Sequence, residues 1–355
     1  MIEARGIKRT FHSHGAFTGA HVVQALRGVD FTLPEGGAVS FIGESGCGKT
    51  TLGRILAGLE TFDEGTLLVD GVDVGSLGRR SRAELFRSIQ LIHQDPYSVL
   101  NPTRTVAATL GDPLRMLANR RHGENDESGE RGERGAKRRK AAVRARSREL
   151  LELVGLEPDG VLSKYPHQLS GGQRQRVVIA RALTVDPKVL IADEAVSMID
   201  VSMRLGILSL LRDLRERLGI SLVFITHDVA TARYLGDGGE LHVIYRGEVI
   251  ERGSVETVIQ NPVHPYTQCL LSAVPVLKGL EEPGPDRLAP KDMMDASVET
   301  LGCLFEPRCP FATEQCGTEH PDLVAETVDG VDAQHACFHP QVRSVAAVDL
   351  DVVAR

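Results

Sequence analysis

Up to about Asn261 the apolar positions fall into two alternating spacings. Ala38-Val39-Ser40-Phe41-Ile42 is a short apolar run and predicts a strand. Behind a glycine-rich stretch, Leu52, Ile55, Leu56 and Leu59 recur at intervals of three and four, which predicts a helix. Two further apolar runs, Lys188-Val189-Leu190-Ile191-Ala192 and Ser221-Leu222-Val223-Phe224-Ile225-Thr226, each end in polar pairs, Asp193-Glu194 and His227-Asp228. Unbroken apolar strands of this kind suit a parallel sheet covered on both faces. A second helix is expected after Leu169-Ser170-Gly171-Gly172-Gln173, with Ser170 as N-cap and Val177, Val178 and Leu183 on its apolar side. After Gln260 the periodicity is broken by Pro262, Pro265, Pro275, Pro283, Pro285 and Pro290, which marks a linker and a loop-rich tail. No internal repeat is evident.

Composition adds limits. At 355 residues the chain is long enough for about two domains, and with 42% hydrophobic residues it can build a real core. Aromatics are 4% and Trp is absent, which argues against stacking platforms for single-stranded nucleic acid; no nucleic-acid partner is expected. No run of about 18 apolar residues occurs, and Met1-Ile2-Glu3-Ala4-Arg5 opens no signal core, so the chain is expected neither to span a membrane nor to be secreted. The net charge of -7 is uneven: residues 119–148 hold eleven basic and five acidic side chains, a local +6 that leaves -13 elsewhere. Within that stretch, Gly123 to Lys140 has almost no apolar content and reads as a mobile, solvated surface insertion. Contact with anionic lipid headgroups is the sharper alternative for it.

Gly43-Glu44-Ser45-Gly46-Cys47-Gly48-Lys49-Thr50 fits G-x-x-x-x-G-K-[ST], in the strand-to-helix position that the chemistry requires. Backbone N–H groups of such a loop wrap phosphates, Lys49 reaches the outer ones and the Thr50 hydroxyl can ligate Mg²⁺. Cys47 contributes its backbone, and no redox role is assigned to its sulfur. Asp193 and Glu194, at a strand end, are placed to hold Mg²⁺ through water and to orient an attacking water. The Ser170-Gly171-Gly172 stretch is a second anion cradle, for which a chain with one phosphate loop has no obvious internal need.

These segments resemble, in order and spacing, the ATP-binding subunit of ABC transporters. The resemblance implies an α/β P-loop fold over residues 1–260, with a helical subdomain at about 95–168 that carries the basic insertion. Residues 261–355 would form a small cysteine-rich extension. It implies that two ATPase subunits, paralogues or two copies of this chain, face head to tail, so that Ser170, Gly171, Gly172 and Gln173 meet ATP held by the partner. In the same way Gly43, Ser45, Gly46, Cys47, Gly48, Lys49, Thr50 and Thr51 would bind ATP, with Phe11 stacked on adenine unless it is an ordinary core or surface aromatic. Thr50, Gln94 and Asp193 would hold Mg²⁺, Gln94 would also sense the attacking water, Glu194 would be the general base, and His227 would contact the γ-phosphate. Ser197 and Asp200 would lie on the loop that crosses to the partner.

Gln94-Asp95-Pro96-Tyr97-Ser98-Val99-Leu100-Asn101-Pro102 and Asn261-Pro262-Val263-His264-Pro265-Tyr266-Thr267-Gln268 resemble the dipeptide and oligopeptide importers within that family. The implied partners are two membrane-spanning permease subunits and an extracytoplasmic solute-binding protein, with this subunit peripheral on the cytoplasmic face. Import of another solute, such as nickel, a sugar or a glutathione-like compound, is one alternative. A soluble ABC ATPase without transport is another, and a redox or metal sensor built on the tail a third. The sequence departs from the family at Ala195, usually Pro, and at Met198-Ile199, usually Ala-Leu; Gly236-Asp237-Gly238-Gly239 is looser than usual.

Cys303, Cys309, Cys316 and Cys337 crowd the tail. Four thiolates satisfy tetrahedral Zn²⁺ or an iron–sulfur cluster, and the missing C-x₂₋₄-C knuckle counts against zinc. The surrounding pattern resembles the peptide-importer tail, which implies a [4Fe–4S] cluster; cysteines packed without metal are the remaining option.

Overall fold

A computed structural model of the chain describes residues 1–14, 20–124, 133–236, 238–274, 288–291, 301–343 and 345. Pro275, Pro283, Pro285, Asp237 and residues 125–132 of the basic stretch lie outside the described residues. In chain order the elements begin with β1 (Ile2–His14), β2 (Ala20–Leu33), β3 (Ala38–Ile42), α1 (Lys49–Leu56), β4 (Glu64–Val69) and β5 (Val72–Asp73). Then come α2 (Arg79–Leu85), β6 (Ile89–Ile92), α3 (Pro96–Val99), α4 (Val106–Glu124), α5 (Glu133–Leu153), α6 (Pro158–Val161), α7 (Gly171–Ala182), β7 (Val189–Asp193) and α8 (Val201–Leu218). The chain continues with β8 (Ser221–Thr226), α9 (Val229–Gly236), β9 (Glu240–Tyr245), β10 (Glu248–Ser254), α10 (Val255–Gln260), α11 (Pro265–Ser272), α12 (Glu314–Thr318), β11 (Val324–Val328) and β12 (Val331–His335). Two compact units result: Met1–Gly78 with Ser221–Arg355, and Arg79–Ile220.

In the first unit, β3 lies parallel between β8 and β9, and every residue of β3 and β8 is buried. The apolar runs are therefore the covered strands that their sequence predicts. Helix α1 buries Leu52, Ile55 and Leu56, whereas Leu59 lies beyond the helix end and is 56% exposed. The α9-to-β9 turn explains its glycines: a Cβ on Gly239 would stand 2.3 Å from the Ala38 carbonyl oxygen, so only glycine lets the turn pass β3. A separate antiparallel sheet, ordered β2-β1-β4-β5, is dominated by the long β1–β2 hairpin.

The segment after Gln260 shares the core of this unit. Tyr266, Cys269, Leu304, Phe305 and Cys309 pack in one cluster with Val243, Tyr245, Ile250, Val255 and Val258. The β11–β12 hairpin adds strands to the sheet through β12, which pairs antiparallel with β10 at Glu251↔His335 and Arg252↔Gln334. One of the prolines that signal a loop-rich tail instead starts a short helix: Pro265 opens α11, where the N–H that proline lacks is not needed.

In the second unit, β6 and β7 pair in parallel and α7 packs against α3, α4, α5 and α8. Residues 133–140, expected as a solvated loop, are helical as the start of α5. The reason is local: from Ala136 the segment is built of Ala, Lys, Arg, Glu and Leu, strong helix formers, apart from Val143 and Ser147, and Leu150 and Leu151 bury its far end. Two charges further along the helix are also partnered, Arg146 with Asp186 at 2.7 Å and Arg148 with Asp159 through both carboxylate oxygens.

Candidate functional site

Residues 43–50 leave the carboxyl end of β3 and enter α1 with Gly48 as its N-cap. Gly48 has φ +106, and a Cβ there would lie 2.2 Å from the Ala25 carbonyl oxygen; Gly43, at φ +155, has the Ile244 carbonyl at the same distance. The motif glycines are thus required by backbone conformation and by close approach together. Lys49 is buried, and its Nζ donates to the carbonyls of Gly43 at 2.7 Å and Glu44 at 2.9 Å. Ser45, Gly46 and Thr50 are exposed, and Thr51 is half-buried. Cys47 is buried, which raises its thiol pKa and keeps it protonated, in line with a structural sulfur.

Because Ile42 of β3 stands opposite Thr226 of β8, Gly43 and His227 leave neighbouring strand ends. Parallel α/β sheets place their ligands at those carboxyl ends. His227 is exposed at a rigid junction: Asp228 Oδ1 accepts from the Ala230 N–H at 3.0 Å, and the Asp228 N–H donates to Thr226 Oγ1 at 3.0 Å. Phe11, near the outer end of β1, is half-buried beside exposed Val22 and Val23, and the Arg9 guanidinium lies 4.8 Å from its ring centroid.

The second unit repeats this logic. Ile92 of β6 stands opposite Ala192 of β7, so Gln94 and the Asp193-Glu194 pair follow adjacent strand ends. Gln94 is exposed, Asp193 is buried, and Glu194 takes φ +48, a left-handed conformation uncommon for a non-glycine residue. Ser197 Oγ and N–H both donate to the Glu194 carbonyl, at 2.9 and 3.0 Å, fixing the turn that follows. Of the departures noted in that turn, Ala195 and Ile199 are buried and Met198 is 63% exposed; Asp200 is the N-cap residue of α8.

The glycine loop before α7 is capped as its sequence predicts. Ser170 Oγ accepts from the Gln173 N–H at 3.3 Å, and Gln173 Oε1 accepts from the Ser170 N–H at 3.1 Å, a reciprocal capping box. Ser170 and Gly171 are exposed and Gly172 is buried. Arg174, which sequence reasoning did not single out, anchors this loop from below. It is buried and donates to the Pro166 and Leu169 carbonyls at 3.1 and 2.9 Å, with its guanidinium 3.8 Å from the Tyr97 ring centroid.

In the tail, Cys303, Cys309, Cys316 and Cys337 line one pocket together with His264, Phe305, Phe338 and His339. All four are free thiols. Burial pushes the Cys303 and Cys337 thiols up to about 11 and about 12. Among the described residues, no set of three or more His, Cys, Asp or Glu is arranged to hold a metal ion, so the cysteines share a pocket without forming a ligand set. Two tail residues reach the phosphate loop instead: the Tyr266 hydroxyl accepts from the Glu44 N–H at 2.8 Å, and Arg308 holds the Glu44 carboxylate through both oxygens at 2.8 and 2.9 Å.

Comparison with known proteins agrees with this arrangement. Residues 26–197 match the family described as ABC transporter, and residues 250–316 match the oligopeptide/dipeptide transporter C-terminal region. The di/tripeptide transport ATP-binding protein DppF of Pseudomonas aeruginosa is 36% identical, over 96% of this chain and 98% of that protein. The dipeptide transport ATP-binding protein DppF of Haemophilus influenzae is 38% identical, over 96% of each. The ATP-binding cassette MJ0796, solved as a dimer in a post-hydrolysis state bound to ADP and phosphate, superposes with a TM-score of 0.57 at 28% identity. That likeness covers 72% of this chain and 99% of the cassette.

Proposed function

The chain belongs to the ABC transporter family, and on that premise we propose that it is the ATP-hydrolysing subunit of an importer of dipeptides or oligopeptides. The observation that carries the reading is the glycine-wrapped loop at the β3 carboxyl end, with Lys49 drawn into it, in a chain aligned almost end to end with peptide-transport ATPases. No helix among the described residues is long and apolar enough to cross a membrane, so force must be delivered to spanning subunits that this chain docks on. Two permease subunits at the cytoplasmic face, a second ATPase subunit and an extracytoplasmic binding protein complete the proposed assembly.

The loop amides from Gly43 to Thr51 cradle the ATP phosphates, Lys49 neutralises the outer ones, and Phe11 offers a ring face to adenine. Thr50, Gln94 and Asp193 offer the hard oxygen donors that suit Mg²⁺, which when bound spreads the charge of the outer phosphates. Glu194 accepts a proton from the attacking water, and His227 bonds the γ-phosphate. Ser170, Gly171, Gly172 and Gln173, with Ser197 and Asp200, face ATP on the second subunit. Exposed Met198, on the same turn as Ser197, suits such a contact. The test is Glu194→Gln in the purified transporter: ATP binding persists and steady-state hydrolysis falls at least a hundredfold, on the scale of losing a general base. Unchanged turnover would remove Glu194 from that role.

The tail pocket is proposed as the place of a [4Fe–4S] cluster, supported by the convergence of four thiols on it. Because burial holds the Cys303 and Cys337 thiols protonated, loading has to release their protons and draw the sulfurs together. Anaerobic purification with iron and sulfide analysis decides the point; iron-free protein would refute the cluster.

A further inference from the structure

Glu44 is the junction of the phosphate loop. Its carbonyl accepts both the Lys49 ammonium at 2.9 Å and the Cys47 N–H at 3.3 Å, so its peptide sets where the Lys49 charge is presented. Its other two handles, the N–H and the carboxylate, are held by Tyr266 and Arg308. Those two residues are in turn fixed by packed rings. Tyr245, Tyr266 and Phe305 are all buried, with centroids 4.6 to 5.4 Å apart, and the Arg308 guanidinium lies 5.9 Å from the Tyr245 and Phe305 centroids.

We propose that Arg308 and Tyr266 are positioning residues of the ATP site, through which the C-terminal segment holds the phosphate loop in its binding conformation. The proposal rests on the reading of Gly43 to Thr50 as the ATP cradle. Two physical effects add in the same direction. A glycine-rich loop tethered beforehand loses less freedom when phosphates arrive. Arg308 also neutralises a carboxylate that belongs to the loop and would otherwise repel a polyanion. The Glu44 side chain is 45% exposed, so water screens the pair. The fork geometry and the 14% exposure of Arg308 place it above an ordinary surface pair.

The experiment measures Mg–ATP affinity, and the KM and kcat of hydrolysis, on the full chain in its transporter. The variants are Arg308→Ala, Arg308→Lys, Tyr266→Phe, Glu44→Ala, the Arg308→Ala/Glu44→Ala double and Lys49→Ala. Arg308→Ala is expected to raise Kd and KM about fivefold, about 1 kcal/mol, with kcat within about twofold. Arg308→Lys should recover part of the loss, because it keeps the charge but not the fork. Tyr266→Phe should raise Kd about threefold through the lost acceptor. In the Glu44→Ala background, Arg308→Ala should have no further effect, whereas damage to the fold alone would persist there. Binding that Lys49→Ala leaves unchanged would refute the cradle itself. A Lys49→Ala loss with Arg308→Ala inside about twofold of wild type, or an Arg308→Ala effect that survives in the double variant, would refute the positioning role.

Discussion

Arg174 offers a quantitative test of what holds the glycine loop before α7. The side chain gives two hydrogen bonds from a charged donor to the carbonyls of Pro166 and Leu169, and it stacks on Tyr97. Bonds from a charged donor contribute about 1.5 kcal/mol each at the lower end of their range. A guanidinium on a ring that is itself 64% exposed adds about 1 kcal/mol. Arg174→Ala should therefore cost about 4 kcal/mol, since truncation also strands two carbonyls. Arg174→Lys keeps the charge, reaches one carbonyl and loses the fork, and should cost about 2 kcal/mol. At about 3 °C per kcal/mol for a unit of this size, the thermal midpoint should fall by about 12 °C and about 6 °C respectively. Scanning fluorimetry without nucleotide reads both, and Tyr97→Phe, which keeps the ring, should melt with the wild type. If Arg174→Lys melts within about 1 °C of wild type, the fork is not what anchors the loop. If the two Arg174 variants shift alike, its planar geometry is irrelevant.

Three further outcomes follow from local geometry. Gly48→Ala should cost about 3 kcal/mol in urea unfolding, because the new Cβ meets a backbone oxygen; Gly71→Ala, also at positive φ but with open space around it, should cost about 1 kcal/mol, and equal costs would discard the steric account. Ser170→Ala should lower stability by about 1 kcal/mol and Ser170→Asp should restore it; failure of Asp to restore nucleotide-driven dimerisation would separate the cap from the proposed contact with the partner's phosphate, and full restoration would contradict that contact. Burial, reinforced by the charge of His335, holds His264 down at about 3, and its Nδ1 caps α11 by accepting from the Tyr266 N–H at 3.0 Å. A depressed histidine stabilises the fold above its ordinary value and loses that contribution as pH falls from about 6.5 toward about 3, so it costs about 2 kcal/mol at pH 5. His264→Asn caps without titrating, and its stability relative to wild type should rise by that amount between pH 7 and 5; buried Glu251, pushed up to about 7 with the opposite slope, is present in both proteins and drops out of the difference. A pH-independent difference would reject the histidine reading.

What the sequence made legible is what local chemistry dictates. The loop from Gly43 to Thr50 could be read because its glycines answer to positive φ in the loop's own backbone, although the Ile244 and Ala25 carbonyls that crowd Gly43 and Gly48 come from distant strands, and Ser170 because a capping box spans only four positions. The buried strands β3, β7 and β8 were visible as unbroken apolar runs. The basic stretch is solvated as its charge density implies, but charge density does not tell a loop from an exposed helix. Lys, Arg and Ala are also good helix formers, and the apolar residues that dock α5 lie at its far end, past the window that looked like a loop. The β1–β2 hairpin went unread because much of it faces water, so it shows no continuous apolar run.

The tail shows most plainly where a sequence reading stops. Its prolines and cysteines advertised a separate loop-rich module, yet its largest side chains complete the core of the sheet that carries the phosphate loop. No spacing rule could have paired Arg308 with Glu44, 264 residues earlier, because an ion pair of that separation is created by packing alone. The geometry also ties the grip on the loop to the cysteines. The Glu306 N–H donates to the Cys303 carbonyl, that of Arg308 to Phe305 and that of Cys309 to Glu306, so one hydrogen-bonded turn carries Arg308 between two of the four thiols. The backbone of Arg308 therefore cannot shift without moving the wall of the thiol pocket, so one hydrogen-bonded turn supports both the pocket and the hold on the phosphate loop.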